Sequence, residues 1–78
     1  MLDKEIIAVM VKGVLIQEEL DRNMLEEDAV KRVNAVWNIF IAGQAKSHLK
    51  CRIKDMIRDA EAMLIELRKQ GFKISKEE

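Results

Sequence analysis

Proline and tyrosine are absent from this 78-residue chain, and cysteine, histidine and tryptophan occur once each. Each scarcity closes a route. A single Cys51 cannot form an intramolecular disulfide, and Cys51 with His48 falls short of the four ligands of a structural zinc site. Only three glycines are present, and none lies in a phosphate-cradling loop, a nucleophile elbow or a dinucleotide fingerprint. Cys51 has no histidine beyond His48 and no visible oxyanion loop, so the chain offers little for a thiol nucleophile. No cofactor is implied. Without proline, with few aromatic residues and with abundant Leu, Ile, Ala, Lys and Glu, the composition favours helices over strands.

What is present is apolar and charged in quantity: 49% hydrophobic and 36% Asp, Glu, Lys and Arg. A chain of this size buries only about 60–65% of the surface it exposes when unfolded, and it commonly needs a staple or a partner. The usual staples are missing here. The apolar excess therefore points to a homo-oligomer, most simply a homodimer.

The charge sums to zero but is unevenly placed. Residues 1–30 hold three bases and eight acids (−5), residues 31–58 seven bases and one acid (+6), and residues 59–78 four bases and five acids (−1). The "LDKE" before the apolar run is mixed rather than basic, and no small-residue cleavage site follows the run. That run, "IIAVMVKGVLI" at 6–16, is followed by "QEELDR" and is too short to span a bilayer, which takes about 20 apolar residues. No membrane contact is expected. The lone thiol fits a reducing compartment, and the expected location is the cytoplasm.

Punctuation at "DRNML" (21–25), "AGQAKS" (42–47) and "QGF" (70–72) divides the chain into helices over about 3–22, 26–42 and 47–70. Asp3 is placed to cap the first helix, with Leu2 stapled onto Ile7. In that helix Leu2, Ile6, Val9, Gly13, Ile16 and Leu20 follow a 4-3-4-3-4 spacing, and Ile7, Met10, Val11, Val14 and Leu15 widen the stripe. The competing reading is a β-hairpin turning at Lys12-Gly13, but Lys-Gly is a poor hairpin dipeptide and the flanks lack polar alternation. As a helix, the segment places Lys12 on its remaining polar strip and Gly13 where another helix comes close.

On the second helix Val30, Val33, Trp37 and Phe40 or Ile41 form the expected inner face, with Ala29 and Val36 beside it and Gly43 ending the helix. A bend at Gly43 within one long helix is the alternative. On the third helix Leu49, Ile53, Met56, Ala60, Met63 and Leu67 repeat the heptad spacing, broadened by Ile57 and Leu64. Gly71 ends that helix and Phe72 folds back toward Leu67. The fold class is all-α: a single three-helix domain over 1–72, a helical hairpin plus the N-terminal helix, completed by homo-oligomerisation. A frayed tail follows at 73–78.

Two groups of residues carry the functional reading. The apolar group is Ile6, Val9, Gly13, Ile16 and Leu20 on the first helix, Trp37 and Phe40 on the second, and Ile53, Met56, Met63 and Leu67 on the third. It suits an interface, with Trp37 and Phe40 as core or interface anchors and the methionines as adaptable packing. The second group, Lys46, Lys50, Lys54 and Arg58, forms a basic row at intervals of four, able either to track a phosphate backbone or to stand as a solvated face. His48, Cys51 and Asp55 share a helical side but make at most part of a metal site. Neighbouring carboxylates such as Glu18 and Glu19 diverge on a helix and make no acid–base pair. The expectation is a non-enzymatic protein–protein interaction module: an adaptor, regulator or assembly factor. The alternative is a nucleic-acid-associated protein.

Overall fold

The computed structural model describes residues 2–74, with side chains from Lys4 onward. Three α-helices account for nearly all of it: α1 Leu2–Asp21, α2 Glu26–Ile41 and α3 Ser47–Lys69. There is no strand among the described residues. The helix ends fall within one residue of the expected ones. The expected Asp3 cap and Leu2 staple, and residues 75–78 of the expected tail, lie outside the described side chains.

The 6–16 run is helical throughout, and α1 passes unbroken through Lys12-Gly13. Its inward row is Ile7, Val11 and Leu15, residues four apart that a helix stacks on one side. α1 is the central element. Both α2 and α3 pack mainly on it and meet each other much less. Ala29, Val33 and Trp37 supply the inner row of α2, and Ile53, Ala60 and Leu64 that of α3. Val11 and Ile53, at 2% and 0% exposure, mark the centre of the core.

Two inner faces differ in phase from the sequence reading. On α2 the buried row starts at Ala29, while Val30 and Ile41 are exposed. On α3 the heptad spacing holds from Leu49 to Ala60, but Leu64 then takes the buried place expected for Met63. A straight helix turns 3.6 residues per turn and drifts about 20° per heptad from a 3.5-residue stripe. Over three heptads that drift carries Met63 and Leu67 outward and brings Leu64 in.

One device ends all three helices. Met24 N–H donates to the Glu19 carbonyl and Asn23 N–H to Leu20 (3.1 and 2.9 Å). Gln44 and Gly43 repeat the pattern onto Ile39 and Phe40 (3.0 Å each), as do Phe72 and Gly71 onto Leu67 and Arg68 (3.1 Å each). These are Schellman closures, and the residue after each cap takes positive φ: Asn23 67°, Gly43 76°, Gly71 94°. The three punctuation points are therefore true helix stops, and α2 and α3 are separate helices. Phe72 returns to Leu67 through its amide, while its ring stays 60% exposed. Beyond it Ile74 is half-buried against the core, and its carbonyl accepts a 2.7 Å bond from Arg68 Nη2.

Helix starts are less well finished. Leu25 and Lys46 occupy the N-cap positions of α2 and α3 without side-chain hydrogen bonds. α2 compensates with Glu26, Glu27 and Asp28 in its first turn, next to the positive end of the helix dipole. α3 instead carries Arg68 and Lys69 in its last turn, at the negative end.

Candidate interaction surfaces

The middle of the α1 heptad stripe, Val9 and Gly13, points away from the chain's own core, while Ile6 and Ile16 pack against its edge. At about 100° per residue, Val9 and Gly13 lie about 160° to either side of Val11 on the helix circumference. Val9 is 67% exposed, and a Cβ built on Gly13 meets nothing within 4 Å. Ile6, Ile16 and Leu20 on the same stripe are half-buried. α1 is therefore apolar beyond the face that α2 and α3 cover, and Val9 is the large side chain of the stripe left exposed.

Toward α3, on a different side of α1, a shallow groove is lined by Met10, Val14, Met56, Asp59 and Met63. Val14 and Met63 are 51% and 55% exposed. Methionine at three of these positions gives the groove side chains that repack at low cost. Toward α2 the surroundings differ. Lys12 is half-buried, with its ammonium 6.0 Å from the centre of the Trp37 ring, rather than on an open polar strip. Trp37 also meets Phe40 at 5.5 Å between ring centres, tilted by 40°.

The eleven residues singled out from the sequence for an interface thus fall into three sets. Trp37 and Ile53 are buried inside the chain, and their side chains are taken. Val9, Gly13, Met63 and Leu67 are exposed, and Ile6, Ile16, Leu20, Phe40 and Met56 are half-buried. Val14 belongs with the exposed set, although its spacing in the sequence marks it only as a broadening of the stripe. Exposure of such a residue follows from the placement of neighbouring helices, which no spacing within one helix reveals.

Charged groups sort as clearly. Glu18 accepts both hydrogen bonds from Arg52, tying α1 to α3. Glu19 faces Arg22 at 3.3 Å and Arg32 at 3.7 Å, tying the end of α1 to α2. Part of the charge asymmetry is thereby explained: the acidic end of α1 collects arginines from the two helices packed on it. The basic row takes no part. Lys46, Lys50, Lys54 and Arg58 are all exposed and form no ion pair among the described residues.

His48, Cys51 and Asp55 are exposed, and no cluster of three or more metal-ligating side chains occurs among the described residues. No helix among them is long and apolar enough to cross a membrane. Comparison with protein-family models, with curated proteins and with solved structures finds no match to this chain.

Proposed function

We propose that this chain is a small non-enzymatic interaction module of the cytoplasm, an adaptor, regulator or assembly factor that works by presenting an apolar helical face. The observation that carries this reading is the balance of apolar side chains. Seven residues larger than alanine are buried, while ten large apolar residues remain exposed among the described residues. Two of the exposed ones, Val14 and Met63, line one groove between α1 and α3 together with Met10 and Met56. Scattered exposed apolar residues are ordinary, but a grouped set is the signature of a contact surface. The exposed, unpaired Cys51 thiol suits a reducing compartment.

The test is a pair of baits, the wild-type chain and Met63→Glu, with matched thermal melts. The reading expects a defined set of proteins bound by the first and lost by the second. Identical sets would sink it.

A second reading rests on a different observation, the exposed and unpaired row Lys46, Lys50, Lys54 and Arg58. Four charges at intervals of four give a line of positive potential suited to a phosphate backbone. Fluorescence anisotropy with duplex DNA at low salt tests it. Binding that weakens steeply with salt and disappears in the Lys50→Glu/Lys54→Glu variant supports it, and absence of binding removes it.

A further inference from the structure

We infer that the groove between α1 and α3 docks an amphipathic helix of another protein, one with a leucine-type face edged by lysine or arginine. The inference rests on the interaction-module reading and gives the chemistry of its partner. The floor of the groove is apolar: Met10 and Val14 line it from α1, and Met56 and Met63 from α3. Met56 and Met63 lie two turns apart, about 10 Å along the helix. A docked helix matches that length with apolar side chains on three successive turns of one face. Two packed helices offer ridges on which a third can seat, and the methionines can repack around its side chains. No strand among the described residues offers an edge that an extended peptide could join instead.

Charge selects the sign of the partner. Asp59 lines the groove, and Asp55 and Glu66 lie within about 40° of it around α3. All three are exposed and form no ion pair among the described residues. Glu66 accepts a 3.0 Å bond from Gln70, a neutral donor. On the other edge, Gln17 and Asp21 continue the Met10–Val14 line of α1 at the same helical spacing, joined by a 3.0 Å bond.

The chain's own cations are placed elsewhere. Arg52, at one end of the groove, is held by Glu18. Lys4 and Lys12 lie on the side of α1 that faces Trp37. Lys50 and Lys54 each precede an acid of the groove edge by five residues, which turns them about 140° away around α3. The groove is therefore apolar along its floor and negative along its edges. A basic amphipathic helix complements both features, and an acidic one is repelled. A second copy seated symmetrically on this groove would bring the same acidic edges against themselves.

Two synthetic helical peptides of about 18 residues (five turns) serve as probes. They share a leucine face and differ in carrying lysine or glutamate along its edges. Fluorescence anisotropy with the full chain is expected to show the lysine peptide binding at least about tenfold tighter than the glutamate peptide. Asp55→Lys combined with Asp59→Lys is expected to reverse that preference. Lys50→Glu/Lys54→Glu, on the far side of α3, is expected to leave it in place. In methyl spectra of methionine-labelled chain, the lysine peptide is expected to shift Met10, Met56 and Met63 but not Met24, which lies between α1 and α2. No binding of the lysine peptide, equal affinity for both peptides, or shifts at Met24 in place of the groove methionines overturns the inference. Groove methyls that shift with chain concentration in the absence of peptide also overturn it, since they mark a second copy as the occupant. If the lysine peptide fails while Met63→Glu still strips proteins from the wild-type bait, the partner's chemistry is wrong and the interaction-module reading stands. If Met63→Glu changes nothing either, both fall.

Discussion

The two faces of α1 are made of the same kinds of residue and have different fates. Ile7, Val11 and Leu15 are 7%, 2% and 8% exposed beneath α2 and α3. Val9, two residues from the most buried of them, is 67% exposed. Hydropathy does not separate Val9 from Val11. What separates them is the helical turn, which sends residues two apart to nearly opposite sides, and the fact that only two helices are available to cover α1. A helix apolar on nearly all sides has to sit in the middle of something. Within this chain α1 is in the middle on one side only.

The sharpest way to break the comparison is to place the same charge on both faces. Val11→Asp buries a carboxylate with no partner, which is expected to cost more than about 4 kcal/mol. The whole chain is held by roughly 4–12 kcal/mol at the usual stability per residue. Val11→Asp should therefore remove about a third or more of the total and lower the melting temperature steeply. Val9→Asp at low micromolar concentration should change stability by no more than about 0.5 kcal/mol, the usual range for an exposed position. Thermal melts followed by circular dichroism check both. Equal losses would mean that α1 has no distinct inner face.

A second pair, adjacent in sequence, sharpens the same contrast on α3. Leu64 is 2% exposed and Met63 55%. Leu64→Ala is expected to cost about 2–5 kcal/mol through the cavity it leaves, and Met63→Ala less than about 0.5 kcal/mol in the monomer. A strict heptad stripe carried through the whole helix predicts the opposite ranking, so chemical denaturation of these two variants tests the phase drift directly.

That drift marks the limit of what the sequence makes legible. The three helices and their stops are readable because they depend on local chemistry. Gly43 and Gly71 announce left-handed closures, and even Asn23, a residue tolerant of that conformation, was flagged within "DRNML". The apolar residues that face inward are readable only to within one neighbour. Val30 against Ala29, and Met63 against Leu64, are choices settled by where α1 lies, and a helical wheel drawn for one helix contains no such information. The two stripes on α1 are both visible in the sequence, but their division into an inner and an outer face is a tertiary fact. The roles of Lys12 and Gly13 changed for the same reason: the lysine packs over Trp37 and the glycine faces open space.

Lys12 and Gly13 therefore supply a test of intermediate size. In the monomer, Gly13→Ala should stabilise α1 by up to about 1 kcal/mol, since alanine is the better helix former and its methyl group meets nothing. Lys12→Glu should cost about 0.5–1 kcal/mol by removing the ammonium from the Trp37 ring and putting an anion in its place. Melts at low protein concentration isolate these effects from self-association. A destabilising Gly13→Ala in the monomer would show that something within the chain does crowd the outer face.

The smallest effect concerns the charges that decorate the ends of the inner face. Arg52 donates both its bonds to Glu18, yet the two side chains are 49% and 35% exposed. Solvent competes for both partners, so a double-mutant cycle with Glu18→Gln and Arg52→Gln should return a coupling of only about 0.2–1 kcal/mol, shrinking as salt rises. Glu19, 13% exposed and shared by Arg22 and Arg32, should couple to Arg32 by a comparable amount despite the longer 3.7 Å approach, because less water reaches it. Lys50 and Lys54, unpaired, should show no coupling to either acid. If Lys54 couples to Glu18 as strongly as Arg52 does, the basic row belongs to the packing of α3 on α1. Its separation from the paired arginines, on which the nucleic-acid reading depends, would then be lost.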